Sequence, residues 1–186
     1  MKILLAFAPF ILFAVVERLA GVTAGLLCGT GASLVLIIRD AISPNRKVKV
    51  LEIGTVLVFA GLALYNLATG ATWSMVGVRL RVDLGLLMIV LVSLAIRLPF
   101  TLQYAREQVS QDLWQLPEFV RTNYVITSVW AAAFALLVAA DLMMLYMPTL
   151  PLRVGIWTTI AAIVGAMKFT QWYPERARTS PEAAGR

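Results

Sequence analysis

The sequence predicts an all-α integral membrane protein: a bundle of about six transmembrane helices with one amphipathic helix on the cytoplasmic surface. Three observations carry that expectation. Of 186 residues, 60% are hydrophobic and 14% charged, against about 45–50% and about 25% in soluble domains. The apolar residues come in blocks of spanning length. The basic residues fall between those blocks, where they orient a chain and face anionic lipid headgroups.

The elements follow in order. "MKILLAFAPFILFAVVERLAG" imitates a signal peptide, but its apolar core runs into Glu17-Arg18 and not a small-residue cleavage site, so it reads as retained. The first span is placed at 3–18. Its apolar stretch covers only about 21 Å as a helix, short of a roughly 30 Å bilayer core, and Pro9 in its middle predicts a kink. Five spans, with this segment not crossing, is the alternative. Further spans are read at 19–38, 51–68, 82–98, 120–146 and 152–172, making one transmembrane domain over 1–173. The connection "RDAISPNRKVKV" has turn chemistry and four basic residues, whereas "TGATWSMVGV" has none. The polar tail over 174–186 is expected to be disordered.

With both termini in the cytoplasm, the inner side collects Lys2, Arg39, Arg46, Lys47, Lys49, Arg97, Arg106, Arg121, Arg176, Arg178 and Arg186. Arg18, Arg79, Arg81 and Arg153 remain outside. This positive-inside bias sets the orientation. The net charge of +6 is used up in it, so no basic face is left for nucleic acid.

Chemistry is sparse. The chain has no histidine and one cysteine, Cys28, which removes the commonest metal ligand, the usual neutral-pH base and any internal disulfide. Phosphate loops, zincin motifs and nucleophile elbows are absent, so no cofactor, metal or catalytic residue is expected. Charges in or near spans are the functional candidates: Arg79, Arg81, Asp83, Asp141 and Arg153, with Glu17 and Arg18, are placed near the outer face. They read either as an ion-paired closure or as a polar site for a small solute. Lys168, beside Trp172 and Tyr173, reads as an interface anchor. Asn66 and Asn123 are positioned to cap or bridge helices.

Gly21, Gly25, Gly29 and Ser33 recur at four-residue steps, a small-residue stripe for close helix packing within one chain or in a homo-oligomer. In the 97–119 connection, Leu102, Ala105, Val109, Leu113 and Leu116 share one helical face. That pattern predicts an amphipathic helix on the inner surface, with Leu102, Val109, Leu113 and Trp114 as its interface or partner-binding residues. Pro117 and Glu118 read as the first turn of the next span.

Lys2, Phe7, Pro9 and Arg18 match in register the opening of the intracellular septation protein A family, which the N-terminus resembles. Ala6 and Gly21 stand where that family commonly has aspartate. A basic loop after span two, then Pro117, Asn123 and Trp130, continue the similarity. The resemblance implies a polytopic protein of the bacterial inner membrane, of septation or envelope maintenance, with cell-division or cell-wall membrane proteins as partners and no catalytic residues. The expectation is therefore a non-enzymatic inner-membrane protein acting through protein contacts. The alternative is a small-solute transporter or substrate-binding membrane subunit with its site at the outer cluster.

Overall fold

The computed structural model describes residues 5–43, 47–147, 149 and 151–179. Lys2, Arg46, Arg186, the first residues of span one and the last seven of the expected tail lie outside them. The described residues form seven α-helices and no strand: α1 (Ala8–Ala20), α2 (Val22–Ile42), α3 (Val50–Thr69), α4 (Met75–Ala95), α5 (Phe100–Arg106), α6 (Pro117–Tyr146) and α7 (Leu152–Thr179). A single 3₁₀ turn, Gln111–Leu113, sits between α5 and α6. Three helices, α2, α3 and α6, are long and apolar enough to cross a membrane, and α4 with α5 adds a fourth if the bent pair is one span.

Local chemistry sets the boundaries, and several differ from those read in the sequence. Pro9 occupies the first turn of α1, where its missing N–H costs nothing, so it starts the helix instead of kinking its middle. With 13 residues, α1 reaches only about 20 Å. Gly21 separates α1 from α2 with φ of +88°, a conformation open to glycine, so α2 begins at Val22 and runs to Ile42. Gly70, left-handed at φ +62°, ends α3 and returns its N–H to the Asn66 carbonyl. Ser74 then caps α4 by accepting the Gly77 N–H at 3.0 Å. This cap starts α4 seven residues before the expected boundary. Pro117 and Glu118 stand in the first turn of α6, as the sequence indicates. The last helix continues through Pro174 to Thr179, so the opening residues of the expected disordered tail are helical.

Between α4 and α5 the axis turns by 73°. Arg97 adopts φ +58° ahead of Pro99, which denies the helical region to the residue before it. The released Phe100 N–H is caught by the buried Ser93 hydroxyl at 3.3 Å. The chain therefore folds back under the bundle at this point.

Packing runs α1 on α2, α2 on α3, α3 on α4, α4 on α6 and α6 on α7, with α5 against α6. Trp130, wholly buried, centres the larger core: Phe7 stacks on it at 5.0 Å, Phe134 lies at 5.5 Å and Phe100 meets it edge-on at 6.3 Å. Phe10 and Phe13 close on Phe59 at 5.1 and 5.4 Å to build a second core. Outward, Val35, Ile38, Leu57, Leu64, Leu136 and many others are exposed. Such a large apolar exterior suits lipid.

Small residues let the helices close. Gly25 backs onto Glu17 of α1, and Gly29 lies under the Phe59 ring, 2.8 Å from where a Cβ would stand. Ser33 is buried and bonds the Gly29 carbonyl at 2.7 Å. Three members of the stripe thus pack inside the chain, while Gly21 serves the turn. A reciprocal pair goes unmarked in the sequence reading: Gly54 of α3 faces Ile89, and Gly85 of α4 faces Val58, each 2.6 Å from a Cβ position.

Gly54→Leu is expected to lower stability by about 1–3 kcal/mol through overpacking. Gly61→Leu on the same helix, where no atom lies within 4 Å, should leave the melting temperature of the detergent-solubilised protein unchanged.

Candidate functional site

At the end where α2, α3 and α5 meet, one ammonium organises the structure. Lys49 is only 3% exposed. Its Nζ pairs with Asp40 at the end of α2, with Glu107 beyond α5 at 2.8 Å and with Glu52 of α3 at 3.5 Å. Arg39 reinforces Asp40 at 2.7 Å. The Tyr104 hydroxyl donates to Glu52 at 3.4 Å, and the Tyr104 ring lies 5.0 Å from the ammonium. Gln103 accepts the first free N–H of α3, that of Val50, at 2.9 Å. Glu52 also accepts the Lys49 N–H at 3.3 Å, as in a capping box.

Burial pulls the Lys49 ammonium down, but its hydrogen bonds to Asp40 and Glu107 and the charge of Glu52 outweigh this, leaving its pKa raised. Lysine near a carboxylate-rich junction is inexpensive only when fully paired, and here it is.

This junction decides the fate of the 97–119 connection. The single amphipathic helix expected over 102–116 is not formed. Helix α5 stops at Arg106, and a turn and the 3₁₀ segment follow. Leu102, assigned to the membrane face, is buried, only 2% exposed. Sequence periodicity describes which residues share a face, but the pairing of Gln103, Tyr104 and Glu107 with α3 and Lys49 rotates that face inward. Trp114 donates to the Arg106 carbonyl at 3.2 Å and packs its ring on the Arg106 guanidinium.

Val109 and Leu113 instead line a cleft of about 690 Å³ between α5, the following turn, α6 and α7. Trp130 and Ile126 form apolar wall, while Gln108, Glu118, Thr122 and Gln171 supply polar groups. Thr170, bonded by the Trp130 indole at 2.9 Å, and Asn123 also face it. The volume is that of small-ligand or peptide-anchor pockets.

At the opposite end, part of the predicted outer cluster assembles. Arg79 lies 3.2 Å from Asp141 and 3.7 Å from Asp83 and donates to Thr159 of α7. Asp141 is wholly buried, and Asp83 and Glu17 nearly so. Arg81 does not join: it stacks on Trp73 at 4.6 Å and bonds the Gly77 carbonyl. Arg18 and Arg153 are exposed, as is Lys168 on α7. Asn66 bridges α2 and α3 by accepting the Thr23 hydroxyl at 2.7 Å. Asn123 donates back to Phe119, and its own carbonyl takes the Thr101 hydroxyl at 2.9 Å.

Sequence reasoning treated Lys49 only as a basic loop residue and passed over Asp40 and Glu52. A findable signal was present: each carboxylate sits beside an apolar span end where a charge is costly without a partner. Among the described residues, no group of three His, Cys, Asp or Glu is arranged to hold a metal ion.

Lys49→Met would leave three carboxylates facing one another, so a loss of about 3–5 kcal/mol is expected. Tryptic cleavage after Arg106 should rise with it, whereas exposed Lys47→Met should change neither. Since the Lys49 pKa is raised, its contribution is complete below the unfolded value. Melting should therefore respond to this group only above about pH 10, as pH rises through the folded value.

No protein-family model matches the chain, and neither a curated protein nor a solved structure matches it.

Proposed function

We propose that this chain is a non-enzymatic, multi-pass membrane protein that works by docking another membrane protein at the α5–α6–α7 cleft. The observation that carries the reading is the cleft itself: about 690 Å³, lined by Val109 and Leu113 beside Gln108, Glu118 and Gln171. A rim of mixed polarity around an apolar wall suits a protein anchor better than a purely lipid contact. The Lys49 junction supports it by holding one wall, α5, in place.

In this reading α1 and α7 complete a six-span bundle, with both termini and the cleft on the cytoplasmic side of a bacterial inner membrane. The distribution of Lys and Arg supports that orientation. The N-terminal resemblance to septation proteins supports a role in envelope maintenance or division; within it, Phe7 stacks on Trp130 and Pro9 is buried.

A small-solute transporter or substrate-binding subunit is the second reading. Buried Asp83 and Asp141 favour it, although Arg79 already occupies the space beside both.

A photoreactive side chain at Val109 or Trp114, activated in intact membranes, should yield discrete protein cross-links that Leu113→Asp removes. Cross-links to lipid alone would exclude docking at the cleft and promote the transport reading.

A further inference from the structure

Among the described residues that line the α5–α6–α7 cleft, Glu118 alone carries a formal charge. It stands exposed in the first turn of α6, where a carboxylate suits the positive end of the helix dipole. Other carboxylates of this chain are spoken for: Asp40, Glu52 and Glu107 by Lys49, Asp83 and Asp141 by Arg79. Glu118 enters no ion pair among the described residues. Arg121, one turn further along α6, is exposed, and Arg106 lays its guanidinium on the Trp114 ring instead.

The rest of the cleft is built for an apolar anchor. Trp130 and Ile126 are buried in its wall, while Leu113 and Leu116 line it and remain exposed. Gln108, Thr122 and Gln171 add polar groups without charge. An open apolar wall beside one unanswered carboxylate fits a segment that offers apolar side chains followed closely by a cation. Transmembrane helices carry that pairing at the end flanked by Lys and Arg. An anionic lipid headgroup would bring like charge to Glu118.

We propose that the cleft selects a basic partner segment: the Lys- or Arg-flanked end of another protein's transmembrane helix. Its apolar side chains pack on Trp130, Ile126 and Leu113, and its cation pairs with Glu118. This rests on the docking reading above and adds the residue that sets specificity. Complementary charge at the edge of such a site discriminates between partners more than it raises affinity, and a segment ending in an acidic residue is rejected.

The test uses the full chain in phosphatidylcholine nanodiscs and fluorescent synthetic peptides as the probe. Three peptides share one apolar helical segment and end in Lys, Gln or Glu. At low salt the Lys peptide is expected to bind about tenfold more tightly than the Glu peptide, with Gln between them. Glu118→Gln should bring all three within about twofold of one another, and Glu118→Lys should reverse their order. That reversal would itself show that the variant is folded. Leu113→Asp should abolish binding of all three. Equal binding of the three peptides by the wild-type chain, lost in Leu113→Asp, would overturn charge selection and leave docking standing. A Lys preference that survives Glu118→Gln would overturn the role of Glu118. Binding no stronger than to protein-free nanodiscs, or unaffected by Leu113→Asp, would overturn docking at the cleft and this inference with it.

Discussion

A single buried ammonium holds one end of this protein together. Lys49 stands at the start of α3 and pairs with carboxylates from the end of α2, from α3 itself and from the segment after α5. Take it away and three negative groups converge, with Arg39 beside Asp40. The sharp turn at Arg97 and Pro99 brings the chain back toward the bundle. The Lys49 junction then fixes how far it comes and which face it shows. From this follow the burial of Leu102, the hydrogen bond from Val50 to Gln103 and the position of the wall that Tyr104 and Ala105 give to the cleft.

The two ends of the bundle solve the same electrostatic problem differently. At one end a lysine, assisted by an arginine and a tyrosine hydroxyl, answers its carboxylates through direct contacts. At the other end Arg79 stands between Asp83 and Asp141, and buried acceptors remain. Between the ends, association rests on aromatic packing around Trp130 and Phe59 and on glycines that bring α2, α3 and α4 close. Side chains that elsewhere would be a liability, such as Leu57 and Ile38, lie exposed on an apolar exterior that suits lipid.

Much of the architecture was legible because apolar blocks and turn residues act locally. Helical class, the membrane-length character of α2, α3 and α6, and Pro117 opening α6 all follow from short-range rules. What escaped was tertiary. Leu102, Val109 and Leu113 do share a periodic face, yet the helix ends at Arg106, and partners remote in sequence turn that face to the core and the cleft. Lys49 looked like any loop cation because its role depends on Asp40, Glu52 and Glu107 meeting in space. At the opposite end of the bundle from Lys49, the grouping of Arg79, Asp83 and Asp141 was visible from their common position at span ends. The exclusion of Arg81 was not, since Trp73 competes for its guanidinium. Gly54 and Gly85 were likewise silent: each matters only because its partner helix presents a branched side chain opposite it.

Everything at the Lys49 end rests on α5 being folded into the bundle, with Leu102 buried. Its most direct test is the environment of residue 102 in native-like membranes. A spin label on Leu102→Cys, in a Cys28→Ala background, should show no contact with lipid-borne paramagnetic reagents. The same label on Leu57→Cys, an exposed position, should show strong contact. Equal lipid contact at both positions would contradict the account and restore a surface-lying helix.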